Sequence, residues 1–378
     1  MSVATAHTMR GDLGAADWPR LTPAEAQDIL QLWGISDPPV QLEWHSPRPL
    51  SAAAIAVFGE GSVFIKRHPV VVRSVAQLEE EHAFMRHLRE RGAPVCRVLT
   101  ATDGRTARTA GAFTYEIHER GAGFDLYRDA VSWSPFLERA HARAAGAALA
   151  RLHASAEGFA AAPRTATVLV ANDRLMSAAR PLEALGRWQQ RRPALKNYLL
   201  EQDWERDIGA AIAPWAAGYR ALRPGLAPLW THNDWHSSNL LWSGADAMAQ
   251  VTTVFDFGLC DATTAVFDLA TAIERNTIPW LDIHEGRPAE ADLGMVTELL
   301  AGYQRERALT ALERAALVAV LPIVHVEFAL SEIDYFHGVT GSRANADLAY
   351  HAFLLGHCRW FESRAGRALL AHIERHPP

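Results

Sequence analysis

The hydrophobic pattern of this chain changes period once, and that change limits the folds open to it. From residue 40 to residue 118 the apolar residues come in short runs with strand spacing; beyond Gly121 they recur at helical spacing almost to the C-terminus. A small sheet-rich unit followed by a larger helical one is therefore expected, an α+β chain of two lobes at about 20–118 and 119–378. A length of 378 residues suits two structural units better than one.

Local signals refine this outline. Residues 1–19 read as a loose leader, after which Thr22, Pro23 and Glu25 supply a cap, a first-turn proline and a capping-box acid for a helix that Gly34 ends. Segments 40–46, 52–58 and 62–66 read as an antiparallel meander, the last two joined by the turn Gly59-Glu60-Gly61. Ser74 and Gln77 form a capping box for a helix over 73–91 that Gly92 terminates, and strands resume at 95–101 and 112–118. In the second unit, helices are expected at 135–153 with Ser134 as cap, 199–222, 291–307, 311–336 and 346–367. One irregular segment, 230–259, interrupts them.

Composition removes several classes of partner. A net charge of −6 lacks the basic excess of a nucleic-acid binder. Cys96, Cys260 and Cys358 stand singly, as buried reduced thiols do, and no charged start leads into an apolar stretch, so a cytoplasmic location is expected. The most apolar stretch, 315–330, contains Pro322, His325 and Glu327 and reads as a core helix, with no membrane partner.

The irregular segment carries the chemistry. It reads Thr231-His232-Asn233-Asp234-Trp235-His236-Ser237-Ser238-Asn239, and Asp256-Phe257-Gly258 begins seventeen residues after Asn239. Phosphoryl transfer needs a carboxylate to orient and deprotonate the attacking hydroxyl, and oxygen ligands to hold magnesium against the phosphates. Asp234 fits the first role, Asn239 and Asp256 the second. Together with Asp268-Leu269-Ala270, these motifs resemble the aminoglycoside phosphotransferase and choline kinase superfamily over about residues 40–275. The resemblance implies a two-lobed protein-kinase-like fold, ATP and Mg2+ as cofactors, and a small-molecule alcohol as acceptor. It also assigns His232, His236 and Asp268 to bracing the catalytic loop. Asn233 stands where that family usually has glycine, a difference expected to alter loop packing more than chemistry.

Upstream, Lys66 ends a strand like the lysine that holds ATP phosphates, and Glu81 shares the apolar stripe of the next helix with Leu78, Met85 and Leu88. A carboxylate on a buried stripe needs a partner, which makes Glu81 the expected partner of Lys66. The turn that should cover the phosphates, 46–51, has no glycine; Ser46, Arg48 and Ser51 are its polar candidates. The lobes should join near 115–121, where the resemblance places adenine and where Glu116 and His118 lie. No P-loop motif is present.

Eleven residues separate Asp256 from Asp268, too few for a phosphorylatable activation segment, so a protein substrate is not expected. The acceptor pocket should be lined from the later helices, with Glu274, Trp280, Asp282 and Glu332 as candidates and amine-bearing alcohols as a natural fit. Two rival readings remain at this point: a catalytically silent ATP-binding regulator and an atypical protein kinase. The oligomeric state is not legible.

Overall fold

A computed structural model describes residues 5–7, 13–36, 39–59, 61–131 and 133–375. Near the N-terminus, β1 (Thr5–His7) and β2 (Leu13–Ala15) pair antiparallel, where a loose leader was expected. The chain beyond them is tied to the helical lobe: Trp18 Nε1 donates to the Tyr335 hydroxyl at 2.9 Å, and that hydroxyl donates to Asp17 at 3.1 Å. Glu60, in the expected turn, lies outside the described residues.

The first lobe is built from α1 (Pro23–Leu32), β3 (Gln41–His45), β4 (Ala52–Phe58), β5 (Gly61–Pro69), α2 (Val75–Glu90), β6 (Ala107–Ala110) and β7 (Phe113–Glu119). Both helices start on the expected capping boxes, Thr22 with Glu25 and Ser74 with Gln77. The strands form one antiparallel sheet in the order β3-β4-β5-β7-β6. Paired residues share a face, so Ala54, Ile65 and Ile117 turn toward Ala26 and Leu30 of α1, while Lys66 and Glu116 occupy the opposite face. Segment 95–101 makes only isolated bridges, Val95 to Val254 and Val98 to His118. The strand expected there is replaced by β6, whose sequence Ala-Arg-Thr-Ala lacks apolar alternation because it forms the sheet edge.

The second lobe runs α3 (Arg139–Ala156), α4 (Pro181–Trp188), α5 (Pro193–Leu199), α6 (Trp204–Leu222), the short strands β8 (Leu229–Thr231), β9 (Leu240–Trp242), β10 (Val251–Val254) and β11 (Asp261–Thr263), then α7 (Ala265–Thr277), α8 (Trp280–His284), α9 (Leu293–Glu306), α10 (Ala311–Val320), α11 (Val326–Tyr335), α12 (Arg343–Leu348), α13 (His357–Glu362) and α14 (Arg364–Arg375). Ser134 is not the cap of α3. The helix begins at Arg139 because Phe136 N–H is drawn to the Asn276 carbonyl at 3.1 Å, holding the preceding residues out of it. Two helices expected as continuous are broken: Pro322 sits in a 3-10 turn between α10 and α11, and Ser363 separates α13 from α14. The stretch Ala311–Thr340 has the length and apolarity of a membrane span, yet 89% of its most apolar window is buried inside this lobe.

The alanine-rich face of α3 lets α9 approach until the backbones touch. A Cβ placed on Gly146 would overlap the Leu299 carbonyl, and one on Gly302 would overlap that of Arg143. Neither obstacle is a flexible side-chain tip, so Gly146→Ala must push the helices apart. Urea denaturation of that variant is expected to show a loss of about 1–3 kcal/mol, the usual range for overpacking; an unchanged midpoint would mean that the helices separate freely.

Candidate active site

The loop 232–239 lies between β8 and β9, and α7 holds it in shape. Asp268, fully buried, accepts the backbone N–H of His232 at 2.9 Å and of Asn233 at 2.8 Å, and its carboxylate also meets His153 Nε2 at 3.0 Å. Asn276 accepts Ser237 N–H at 2.9 Å and donates to the Trp235 carbonyl at 2.8 Å. His232 accepts Asp234 N–H on Nδ1 and bonds the Phe255 carbonyl through Nε2 at 3.0 Å.

Asn233 explains its own departure from glycine. Its φ is +61°, in the left-handed region where asparagine is among the few side-chain residues tolerated. Its amide donates to the carbonyls of Ala171 and Leu259 and accepts from Thr231 and Thr263, so a buried polar group is well paired. Asn233→Ala keeps the unfavourable φ and loses those bonds. It should cost about 2–4 kcal/mol, and Asn233→Gly less; thermal unfolding of the two variants would reveal the order.

Asp234 is the centre of the cleft. Arg275 Nη1 lies 3.0 Å from Oδ1, Asn239 Nδ2 donates to Oδ2 at 3.0 Å, and His236 Nε2 is 3.6 Å away. Burial alone would raise the Asp234 carboxyl, but Arg275, and after it His236, hold it well below the usual range. Asp234 is therefore ionised throughout the working pH range. Such a carboxylate is a firm acceptor for a hydroxyl proton but a weak base, which suits a loose phosphoryl-transfer transition state. His236 is pushed down by burial and bonds Ser238 at 2.7 Å.

Across the same cavity stand Lys66 and Asp256, with Nζ to Oδ1 at 2.8 Å; Ser51 and Arg48 line it from the glycine-free turn. Asp256 has φ +58°, a strained setting for an aspartate. Although burial opposes its charge, Asp256 and then Glu116 raise Lys66 to about 12. Asp256, Asn239 and Asp234 line one cavity with Lys66, and their side-chain oxygens are the donor type a hard divalent cation prefers; nucleotide phosphates with their metal fit this set of residues.

Glu81 is not on Lys66. Arg164 Nη2 takes it at 2.9 Å, because a guanidinium buried to 6% exposure needs a carboxylate and reaches Glu81 first. Arg164 also donates to the Gly258 carbonyl at 2.9 Å, as does Arg73, so the link from α2 runs to the Asp256 loop through two arginines. Glu116 and His118 do not line the cavity with their side chains. Glu116 accepts from His68, His82 and His118 at 2.7–2.9 Å, a buried network behind Lys66.

Of the acceptor candidates, Glu332 alone reaches the cavity. It is 2% exposed, one carboxylate oxygen has no hydrogen-bond partner, and burial pushes it up to about 8. Glu274 and Trp280 lie beneath the cavity against His357, and Asp282 pairs with Arg287 at the surface. Glu327 and Asp334 are spent on backbone N–H groups of Leu175 and Leu195. Arg275 was not anticipated. Its guanidinium sits 4.5 Å from the Trp133 ring and 4.9 Å from the Phe328 ring. Its spacing of seven from Asp268 puts both on one face of α7, which is the signal the sequence offered.

The antiparallel sheet lobe, the helical lobe and the motif-bearing cleft between them define a protein-kinase-like phosphotransferase fold. The model of the phosphotransferase enzyme family, APH, matches residues 55–309, and the chain belongs to that family. Homoserine kinase of Polaromonas naphthalenivorans (strain CJ2) is 28% identical over 162 residues, 41% of this chain and 46% of that enzyme, so the match spans about half of the relative's length. Among solved structures, a microcompartment-associated aminopropanol kinase is 19% identical with a TM-score of 0.58, covering 93% of this chain and 99% of that one. Amicoumacin kinase, in complex with AMP-PNP, Ca2+ and its ligand, is 13% identical with a TM-score of 0.52, covering 82% and 87%. These structural likenesses describe the fold.

Proposed function

We propose that this protein transfers the γ-phosphate of ATP, with Mg2+, to a hydroxyl of a small alcohol that also carries an amine. The observation that supports it most is one cavity lined together by Lys66, Asn239, Asp256, Asp234 and Glu332. Lys66 holds phosphate oxygens, and Asn239 and Asp256 hold the metal. Mg2+, when bound, neutralises charge between the phosphates. Asp234 orients the acceptor hydroxyl and accepts its proton. Glu332 has an open oxygen where a substrate ammonium can donate, and the partial match to homoserine kinase, whose substrate is named for an amino acid with a hydroxyl, agrees with that chemistry. A reaction that consumes ATP belongs in the cytoplasm.

ADP release measured over amino alcohols, hydroxy amino acids, amino sugars and neutral sugars tests the reading. Turnover confined to neutral sugars would remove the amine preference, and none on any of them would favour a silent nucleotide-binding regulator. Glu332→Gln should raise KM for an amine-bearing acceptor about tenfold or more while changing kcat little, since 1.5 kcal/mol is the low end for a hydrogen bond to a charged group. Glu332 binds ammonium only when ionised, and its surroundings are Arg275, Asp234 and Glu274. With its carboxyl at about 8, kcat/KM for such an acceptor should rise as pH climbs through about 8, until the amine loses its own proton. The Glu332→Gln profile should lack that limb.

A further inference from the structure

Beneath the acceptor side of the cleft, Glu274 of α7, His325 before α11 and His357 at the start of α13 converge, with one ligand atom from each within 4.8 Å of the others. All three are buried, at 1%, 3% and 0% exposure. His325 Nε2 lies 3.2 Å from the Leu354 carbonyl, which can only accept, so the proton is on Nε2 and the Nδ1 lone pair is left over. That Nδ1 is buried and has no hydrogen-bond partner. His357 turns Nδ1 to Glu274 Oε1 at 2.8 Å and Nε2 to His284 Nε2 at 2.9 Å. Arg275 pairs with Asp234, and its charge also reaches Glu274, His325 and His357, so an ion here has a cation nearby that Asp234 partly offsets.

We infer that Glu274, His325 and His357 form a site for one divalent transition-metal ion, with zinc the first choice, separate from the nucleotide's magnesium. Two neutral imidazoles and a carboxylate are a donor set that zinc accepts. The outer contacts are already in place: when Nδ1 of each histidine faces the ion, His325 donates its other N–H to Leu354 and His357 to His284, as ligating histidines do. The other histidine cluster lacks this signature. There every Nε2 of His68, His82 and His118 is engaged by Glu116. An ion at the first cluster would pin α7, α11 and α13 together directly behind Arg275 and so fix the guanidinium that holds Asp234.

The test is metal binding by the full chain, which is independent of whether any acceptor has been identified. Chelator-stripped protein titrated with Zn2+ is expected to take up one equivalent that survives gel filtration, and with Co2+ to develop the intense visible bands of a tetrahedral site. His325→Ala and His357→Ala should lose both, and His82→Ala neither. Should the alanine variants fail to fold, His325→Gln, which keeps volume and polarity, replaces them, with circular dichroism as the check. The inference is overturned if the wild-type chain retains no zinc and shows no cobalt bands, if a folded His325 or His357 variant retains its equivalent, or if His82→Ala removes it.

Discussion

Asp234→Asn should lower turnover by about 10²–10⁴-fold while nucleotide affinity stays nearly unchanged, the range a positioned general base contributes. Asparagine conserves the volume and the contact with Asn239 but cannot take a proton. It also removes the charge that faces Arg275 at 3.0 Å, leaving a buried guanidinium between Trp133 and Phe328 without its carboxylate. Acceptor affinity for an amine should therefore fall together with kcat, because Arg275 is then an uncompensated positive charge near Glu332. Steady-state kinetics with calorimetric titration of a non-hydrolysable nucleotide separates the effects. An unaltered rate would take Asp234 out of the reaction.

Asp256→Ala acts on the other side of the cleft. It takes away the anionic oxygen proposed to hold the metal and, with it, the carboxylate that Lys66 Nζ touches at 2.8 Å. Nucleotide binding in the presence of Mg2+ should weaken by about 1.5–3 kcal/mol or more, the worth of one charge-assisted contact. Binding without Mg2+ should change little or even improve, since Lys66 is freed for the phosphates. Calorimetry in both conditions distinguishes the roles, and an equal loss in both would assign Asp256 to orienting Lys66 rather than to the metal.

Features written within a few residues were legible before the fold was known. The capping boxes Thr22 with Glu25 and Ser74 with Gln77 require only one helical turn to form, and both are present. The meander was readable because each strand alternates against its neighbour, and the cleft face of Lys66 follows from that register. The motif residues Asp234, Asn239 and Asp256 fall around one cavity because the loop that carries two of them is short and closed by its own hydrogen bonds. The edge strand β6 and the late start of α3 were not readable, as neither depends on local periodicity: one is set by its place at the sheet edge, the other by a hydrogen bond to Asn276.

Charge pairing was decided by the tertiary structure. A stripe on α2 showed that Glu81 is buried, but not whether Lys66 or Arg164 would reach it, and Arg164 lies 83 residues away. Among the acidic residues of the later helices, composition could not tell Glu332, with an open oxygen in the cleft, from Glu327 and Asp334, which backbone N–H groups consume. The convergence of Glu274, His325 and His357 likewise depends on how α7, α11 and α13 cross. The sequence by itself thus determined the α+β order of the lobes, the two capping-box helix starts and the motif residues Asp234, Asn239 and Asp256 that line the cavity, since propensity, periodicity and short-loop spacing act over a few residues. Which buried charges meet was left to packing, because a buried ion takes whichever opposite charge the fold brings within reach, however far off along the chain.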